Sequence, residues 1–405
     1  RRGSSSIVRS AQMSKGESEQ SLQQGVQGDN LNDFIATLTG GGKLKQHAEH
    51  DTVRKAERQI NKFTRNGEKN RFSNAVLYTQ GAVTLKEEVK EDQPYIHASR
   101  INCLAGPLIL AQAPMESTLV DFCRLLWQQN VTTIVTLCDM NDKSQCYPYF
   151  EKKQGKKNTV KRRFRFRTVA VRSAGKSIVH YELKFENWLE KGEKKHRTLN
   201  VISVLGWTPE APFSAKTLVA AIHNVEALKN MDNIKENALL IHGTTGIRRT
   251  GCFALAYMFS KQILVHKEIN LIGVISAVRE LRYGVLRQKN LFHLLLEAIV
   301  YLISETGVIQ PGSSDQRHVL EVIKKASGEL KTKGSKGRKD GGKKEEGKKD
   351  DKNGDEEGGE EEDDGEEEES GKSVTGTRAS LNRKKADKGP EKSKEKSKDK
   401  GKKKK

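Results

Sequence analysis

The chain of 405 residues has room for two or three domains, but Lys, Arg, Asp and Glu make up 31% of it and crowd toward one end, so a core can form only in the middle. The formal net charge is +20, five cysteines show no CxxC pair or histidine spacing suited to zinc, and no apolar run reaches the roughly 18 residues of a membrane helix. These features exclude a disulfide scaffold and a helical membrane span, and they predict no metal, no cofactor and a cytoplasmic or nuclear location.

Residues 1–28 are rich in Ser, Gln and Gly, and residues 332–405 are almost wholly Lys, Glu, Asp, Gly and Ser. Neither segment has the apolar surface to offset its ordering entropy, so both are expected to be disordered. Every Trp, Tyr, Phe and Cys falls within 30–306, which reads as one domain, with 307–331 a linker or short helix. The tail alternates basic "KTKGSKGRKDGGKK", acidic "DEEGGEEEDDGEEEES" and basic "KSKEKSKDKGKKKK" blocks. It could draw an acidic partner or nucleic acid weakly, although it lacks the aromatic residues that stack on bases.

Along the central region, "HDTVRKAERQINKF" (50–63) spaces Val53, Ile60 and Phe63 as a surface helix would, and "NAVLYTQGAVTL" (74–85) reads as strand, turn, strand. "TLVDFCRLLWQQN" (118–130) is an amphipathic helix, followed by the β-branched strand "VTTIVTLCD". "RRFRFRTVAVRS" (162–173) alternates apolar and basic residues as a strand with one solvated face. A strand "VISVLGW" (201–207) and a helix "AKTLVAAIHNVEALKN" (215–230) come next, then "ALLIHGTTGIRRTGCFALAYMF" (238–259), then two helices, "INLIGVISAVRELR" and "NLFHLLLEAIVYLI". Helices alternating with strands give an α/β or α+β class with a mixed sheet.

Within 238–259, a short apolar strand enters a turn of Gly and Thr, and an apolar helix starts near Thr250. Strand, glycine loop and helix N-terminus together form a phosphate-binding layout, because loop amides and helix dipole aim positive charge at one spot. Thr244, Thr245, Gly246, Ile247, Arg248 and Arg249 are therefore the candidate phosphate binders, with the arginines suited to bidentate contact with a tetrahedral anion.

About 250 residues of the middle resemble the catalytic domain of the protein-tyrosine phosphatases. "KNRFSNAVLY" (69–78) is similar to that family's Lys-Asn-Arg-Tyr segment, and "YIHASRI" (95–101) to its Tyr-Ile-Asn-Ala element. "LILAQAPMESTLVDFCRLLWQQNVTTIVTL" (108–137) follows its turn, helix and strand pattern, and "CYPYF" (146–150) stands where a Cys-x-x-Tyr-Trp-Pro run is expected. The resemblance implies a central twisted mixed sheet flanked by helices.

It also implies a reaction whose parts can be checked. The family's loop reads His-Cys-x5-Arg: the thiolate attacks phosphorus, amides and arginine hold the oxygens, and a mobile Asp protonates the leaving group. Matched onto "HGTTGIRRTG", His242, Arg249 and Thr250 keep their places, while Gly243 occupies the cysteine position. The acid loop, normally Trp-Pro-Asp, reads "WTPEAP": Trp207 stays, Pro209 takes the Asp place and Glu210 lies one further on. Arg287 stands where a glutamine positions water, with Gln288 beside it, and Phe72 replaces the tyrosine that sandwiches the substrate ring. Asp142 stands near the family's acidic residue that orients the loop arginine. Loss of a covalent nucleophile costs about 5 to 8 kcal/mol of barrier.

The resemblance therefore implies a pseudophosphatase, an interaction module without turnover. Removing a thiolate also removes a negative charge from the anion site, which favours capture of a phosphotyrosine protein. Against this stands an occluded pocket. Arg248 occupies a position where the family carries glycine, and if that position needs positive φ, arginine costs about 1 kcal/mol and fills the pocket. A residually active phosphatase using Thr244 or Glu210, and a scaffold or nucleic-acid binder acting through the tail, are the alternatives.

Overall fold

A computed structural model describes residues 22–23, 27–40, 59–208, 212–231 and 237–335. Most of 1–28 and of 332–405 lies outside the described residues, as does most of the helix expected over 50–63; Leu22 is buried and its carbonyl accepts from Leu104 N–H at 2.7 Å. Of that segment, the helix Asn61–Thr64 is seen.

In chain order the elements are β1 (Asp29–Asn30), α1 (Leu31–Thr39), α2 (Asn61–Thr64), β2 (Ala82–Thr84), β3 (Tyr95–Cys103), β4 (Gly106–Gln112), α3 (Leu119–Gln128), β5 (Val131–Thr136), β6 (Lys157–Val160), β7 (Phe164–Ser173), β8 (Ile178–Asn187), β9 (His196–Val204), α4 (Ala215–Met231), β10 (Ala238–Gly243), α5 (Arg248–His266), β11 (Glu268–Ile269), α6 (Leu271–Leu281), α7 (Lys289–Ser304) and α8 (Ser314–Ser335). Among the described residues, nine strands form one mixed sheet in the order β2-β3-β4-β10-β5-β9-β8-β7-β6. This is the mixed sheet with flanking helices that the sequence implies.

The middle of the sheet is its parallel block. β10 runs parallel to both β4 and β5, and β5 parallel to β9. A strand buried on both faces needs a continuous apolar run, and β10 has one, with every residue buried. Its side chains alternate between two cores. Leu239 and Ile241 face the core built with α5 and α7, where Phe253, Leu255, Leu295 and Ile299 are buried, and Ala238 and Leu240 face the one built with Phe122 and Leu126 of α3. α8 belongs to the first core through Val319, Leu320 and Ile323.

The strand–turn–strand expected over 74–85 is corrected to β2 alone. Upstream, the backbone is satisfied by other partners: the Ala75 carbonyl meets His97 Nε2 at 2.7 Å, and Thr79 N–H donates to the Gln59 carbonyl at 2.8 Å. β7 alternates as expected over its first half, with Phe164, Phe166 and Thr168 buried; past a register shift between Thr168 and Ala170 the apolar Val169 and Val171 are exposed instead.

The carboxyl ends of the four parallel strands open on one side. Ligand crevices in such sheets lie there, beyond the strand ends. The segments leaving β4, β5, β9 and β10 are the ones that carry Pro114, Cys138, Trp207 and the 244–249 loop.

Candidate functional site

β10 ends at Gly243, whose carbonyl accepts from Ala113 N–H at 2.8 Å, and the loop turns from there into α5. Gly246 makes the turn possible. It sits at φ +68°, and a Cβ there would lie 2.3 Å from the Ala111 carbonyl oxygen. Only glycine fits both the left-handed backbone and the close approach. The loop amides then lead into the first turn of α5, where backbone N–H groups have no partner four residues back in the helix.

The loop is held from below by Arg282, which is fully buried. Its Nε donates to the Gly246 carbonyl at 3.1 Å and its Nη2 to the Thr245 carbonyl at 3.2 Å; Nη1 reaches Ser99 Oγ at 3.4 Å, and Nη2 lies 3.1 Å from His97 Nδ1. Burial, with the Arg282 charge added, pushes His97 down to about 3, so its ring is neutral and Nδ1 can accept from Arg282. Ile247 N–H is capped by Thr245 Oγ1 at 3.2 Å.

Above the loop lies a cavity of about 1040 Å³. Gly243, Thr244, Thr245 and Arg249 line it, as do the exposed Arg248 and Phe72, the latter 41% exposed. Arg249 reaches across it: Nη1 donates to the Trp207 carbonyl and Nη2 to Thr244 Oγ1 at 3.4 Å. Trp207 is buried and stacks on Phe213 with ring centroids 4.5 Å apart and planes 8° from parallel. Pro209 and Glu210, which lie between these two residues in the chain, are outside the described residues.

The expectation that Arg248 is strained or plugs the pocket is not what the geometry gives. Arg248 opens α5 and is absent from the residues with positive φ, and its side chain is exposed at the cavity edge. The glycine that needs a left-handed backbone is Gly246. Asp142 is not brought to Arg249. Its carboxylate accepts from Ser144 N–H at 2.8 Å and Gln145 Nε2 at 3.1 Å, holding its own turn. Arg287 is exposed, stacked on Tyr283 and bonded to its hydroxyl at 2.9 Å, whereas the neighbouring Gln288 lines the cavity.

The sequence signature of the protein-tyrosine phosphatase family matches residues 66–301. The chain belongs to that family. Tyrosine-protein phosphatase non-receptor type 7 of Rattus norvegicus is 25% identical over 236 residues, which cover 56% of this chain and 62% of that protein. Receptor-type tyrosine-protein phosphatase alpha of Homo sapiens is 25% identical over 275 residues, 65% of this chain and 33% of that protein. Receptor-type tyrosine-protein phosphatase F of Danio rerio is 20% identical over 315 residues, 75% of this chain and 16% of that protein. The chain thus spans less than two thirds of the length of these relatives.

Within this protein-tyrosine phosphatase domain, two groups escape a reading of the sequence. Arg282 sits in "RELRYG" and looks like one more surface charge. Cys138 and Cys146 lie far in sequence from His242, and the strand ends bring the three together beside the cavity. No helix among the described residues is long and apolar enough to cross a membrane.

Proposed function

We propose that this protein-tyrosine phosphatase domain is an interaction module that captures a phosphotyrosine-containing segment without hydrolysing it. The observation that carries the reading is the composition of the loop base. Gly243 offers no nucleophile, while Arg249, the first-turn amides of α5 and an open cavity supply what an anion needs. Thr244 Oγ1 accepts from Arg249 Nη2 at 3.4 Å, and a threonine hydroxyl without an adjacent general base is a poor nucleophile. A phosphate arriving at Arg249 would take the place of the Trp207 carbonyl, and Phe72 offers a face for the tyrosine ring.

The test is a titration of the full chain with a phosphotyrosine peptide and its unphosphorylated twin, beside an aryl-phosphate turnover assay. The expected result is saturable binding of the phosphorylated peptide alone, no turnover, and a loss of about 100-fold in affinity in Arg249→Ala, from the removal of a bidentate charged contact. Turnover that disappears in Thr244→Ala or Glu210→Ala would establish the enzyme reading instead. Gly243→Cys is the informative revertant: its Cβ would lie 2.9 Å from Thr250 Oγ1, so that hydroxyl must rotate to admit the thiol.

A further inference from the structure

Beside the cavity, three side chains that anion capture does not use converge. Cys138 follows β5, Cys146 closes the turn that Asp142 opens, and His242 is the last residue of β10 before Gly243. All three are buried, and their sulfur and ring-nitrogen atoms lie within 4.8 Å of one another. Cys138 Sγ is 3.8 Å from His242 Nδ1.

We infer that Cys138, Cys146 and His242 form a zinc site that ties the segment after β5 to the strand entering the phosphate loop. Tetrahedral zinc, with Zn–S near 2.3 Å and Zn–N near 2.0 to 2.1 Å, sets sulfur and nitrogen about 3.6 Å apart and two sulfurs about 3.8 Å apart. The Cys138–His242 separation of 3.8 Å is within about 0.2 Å of this, and no edge of the triangle exceeds 4.8 Å, so closure around an ion needs a contraction of at most about 1.2 Å.

The surroundings suit the assignment. His242 Nε2 lies 3.2 Å from the Tyr149 hydroxyl. With Nδ1 on the metal, Nε2–H donates to Tyr149 Oη, which fixes the ring and its tautomer. The turn that presents Cys146 is held by its own N–H donating to the Asp142 carbonyl at 2.9 Å and by Arg71 donating to the Ser144 carbonyl. Both thiols release their protons to solvent on binding, and two thiolates with one Zn²⁺ make a neutral unit that a buried position tolerates. Cys138 also lines the cavity, which gives the ion a way in. Three protein ligands leave the fourth zinc position to a water molecule. Cys103 and Cys252 are as buried but lie outside the group, with the Gly106 carbonyl at 3.2 Å and the Leu291 carbonyl at 3.5 Å from their sulfurs, so they serve as controls.

The experiment uses the full chain without a histidine tag, reduced and stripped of metal, titrated first with Co²⁺ and then with Zn²⁺. Thiolate-to-cobalt charge-transfer absorption tells thiolate binding from carboxylate binding by the acidic tail. The expected result is a two-thiolate band that saturates at one equivalent, is bleached by zinc, and is accompanied by a rise in Tm. Cys138→Ser and Cys146→Ser should each lose the band and bind zinc at least tenfold more weakly, while Cys103→Ser keeps both, with circular dichroism to confirm folding. Where a serine variant does not fold, zinc-edge absorption of the unaltered chain decides: a shell containing two sulfurs supports the site. A shell of oxygen and nitrogen alone, or a cobalt band that survives both serine variants, overturns it.

Discussion

Below the loop, Arg282 is fully buried and spends its donors on two loop carbonyls, a hydroxyl and a neutral histidine; above it, Arg248 is exposed, and Arg249 spans a cavity to a carbonyl of another loop. The same residue type builds a floor in one place and offers a charge in the other. The floor is over-determined by hydrogen bonds that no ligand alters. The mouth is held by contacts that an anion can replace. Substitutions at the mouth should therefore leave the cradle below it in place.

Arg282→Ala strands the Thr245 and Gly246 carbonyls and empties a fully buried volume, so denaturant unfolding should report a loss of about 3 to 5 kcal/mol. A loss under about 1 kcal/mol would show that the floor stands without it. Gly246→Ala, which drives a Cβ to 2.3 Å from the Ala111 oxygen at positive φ, should cost about 2 to 4 kcal/mol and abolish peptide binding in whatever still folds.

The pH dependence of the floor follows from His97, held at about 3 against an ordinary value of 6.5. Above pH 6.5 the ring is neutral in both folded and unfolded states and the stability is complete. Between 6.5 and 3 the unfolded chain takes up a proton that the folded state refuses, so stability should fall by up to about 1.4 kcal/mol per pH unit. His97→Gln should flatten that slope in acid-unfolding curves; an unchanged slope would assign it to other groups. The smallest effect belongs to the mouth. Arg248→Ala, at an exposed site, should weaken phosphopeptide binding only about two- to fivefold at low salt and less at high salt, with no change in Tm.

The strand β10 and its loop were legible in the sequence because a buried parallel strand leaves an uninterrupted apolar run and a phosphate turn leaves glycine and threonine. β3 was not, because His97 and Ser99 break its apolar pattern while serving Arg282 from buried positions. The concern over Arg248 came from residue identity alone. What decides the matter is a dihedral angle, and the left-handed position falls at Gly246, two residues earlier. Arg282 and the Cys138–Cys146–His242 cluster depend on which strand ends become neighbours, and local spacing carries no trace of that.

Gly246 has one more implication. With only a hydrogen atom between the loop and the backbone of Ala111, the turn is moulded against β4 like wax against a seal, and its curvature is copied from the sheet rather than generated by the loop's own side chains. A cradle shaped from outside is a socket whose contour is set by the neighbouring strand, so side chains on the loop can be exchanged while that contour stays.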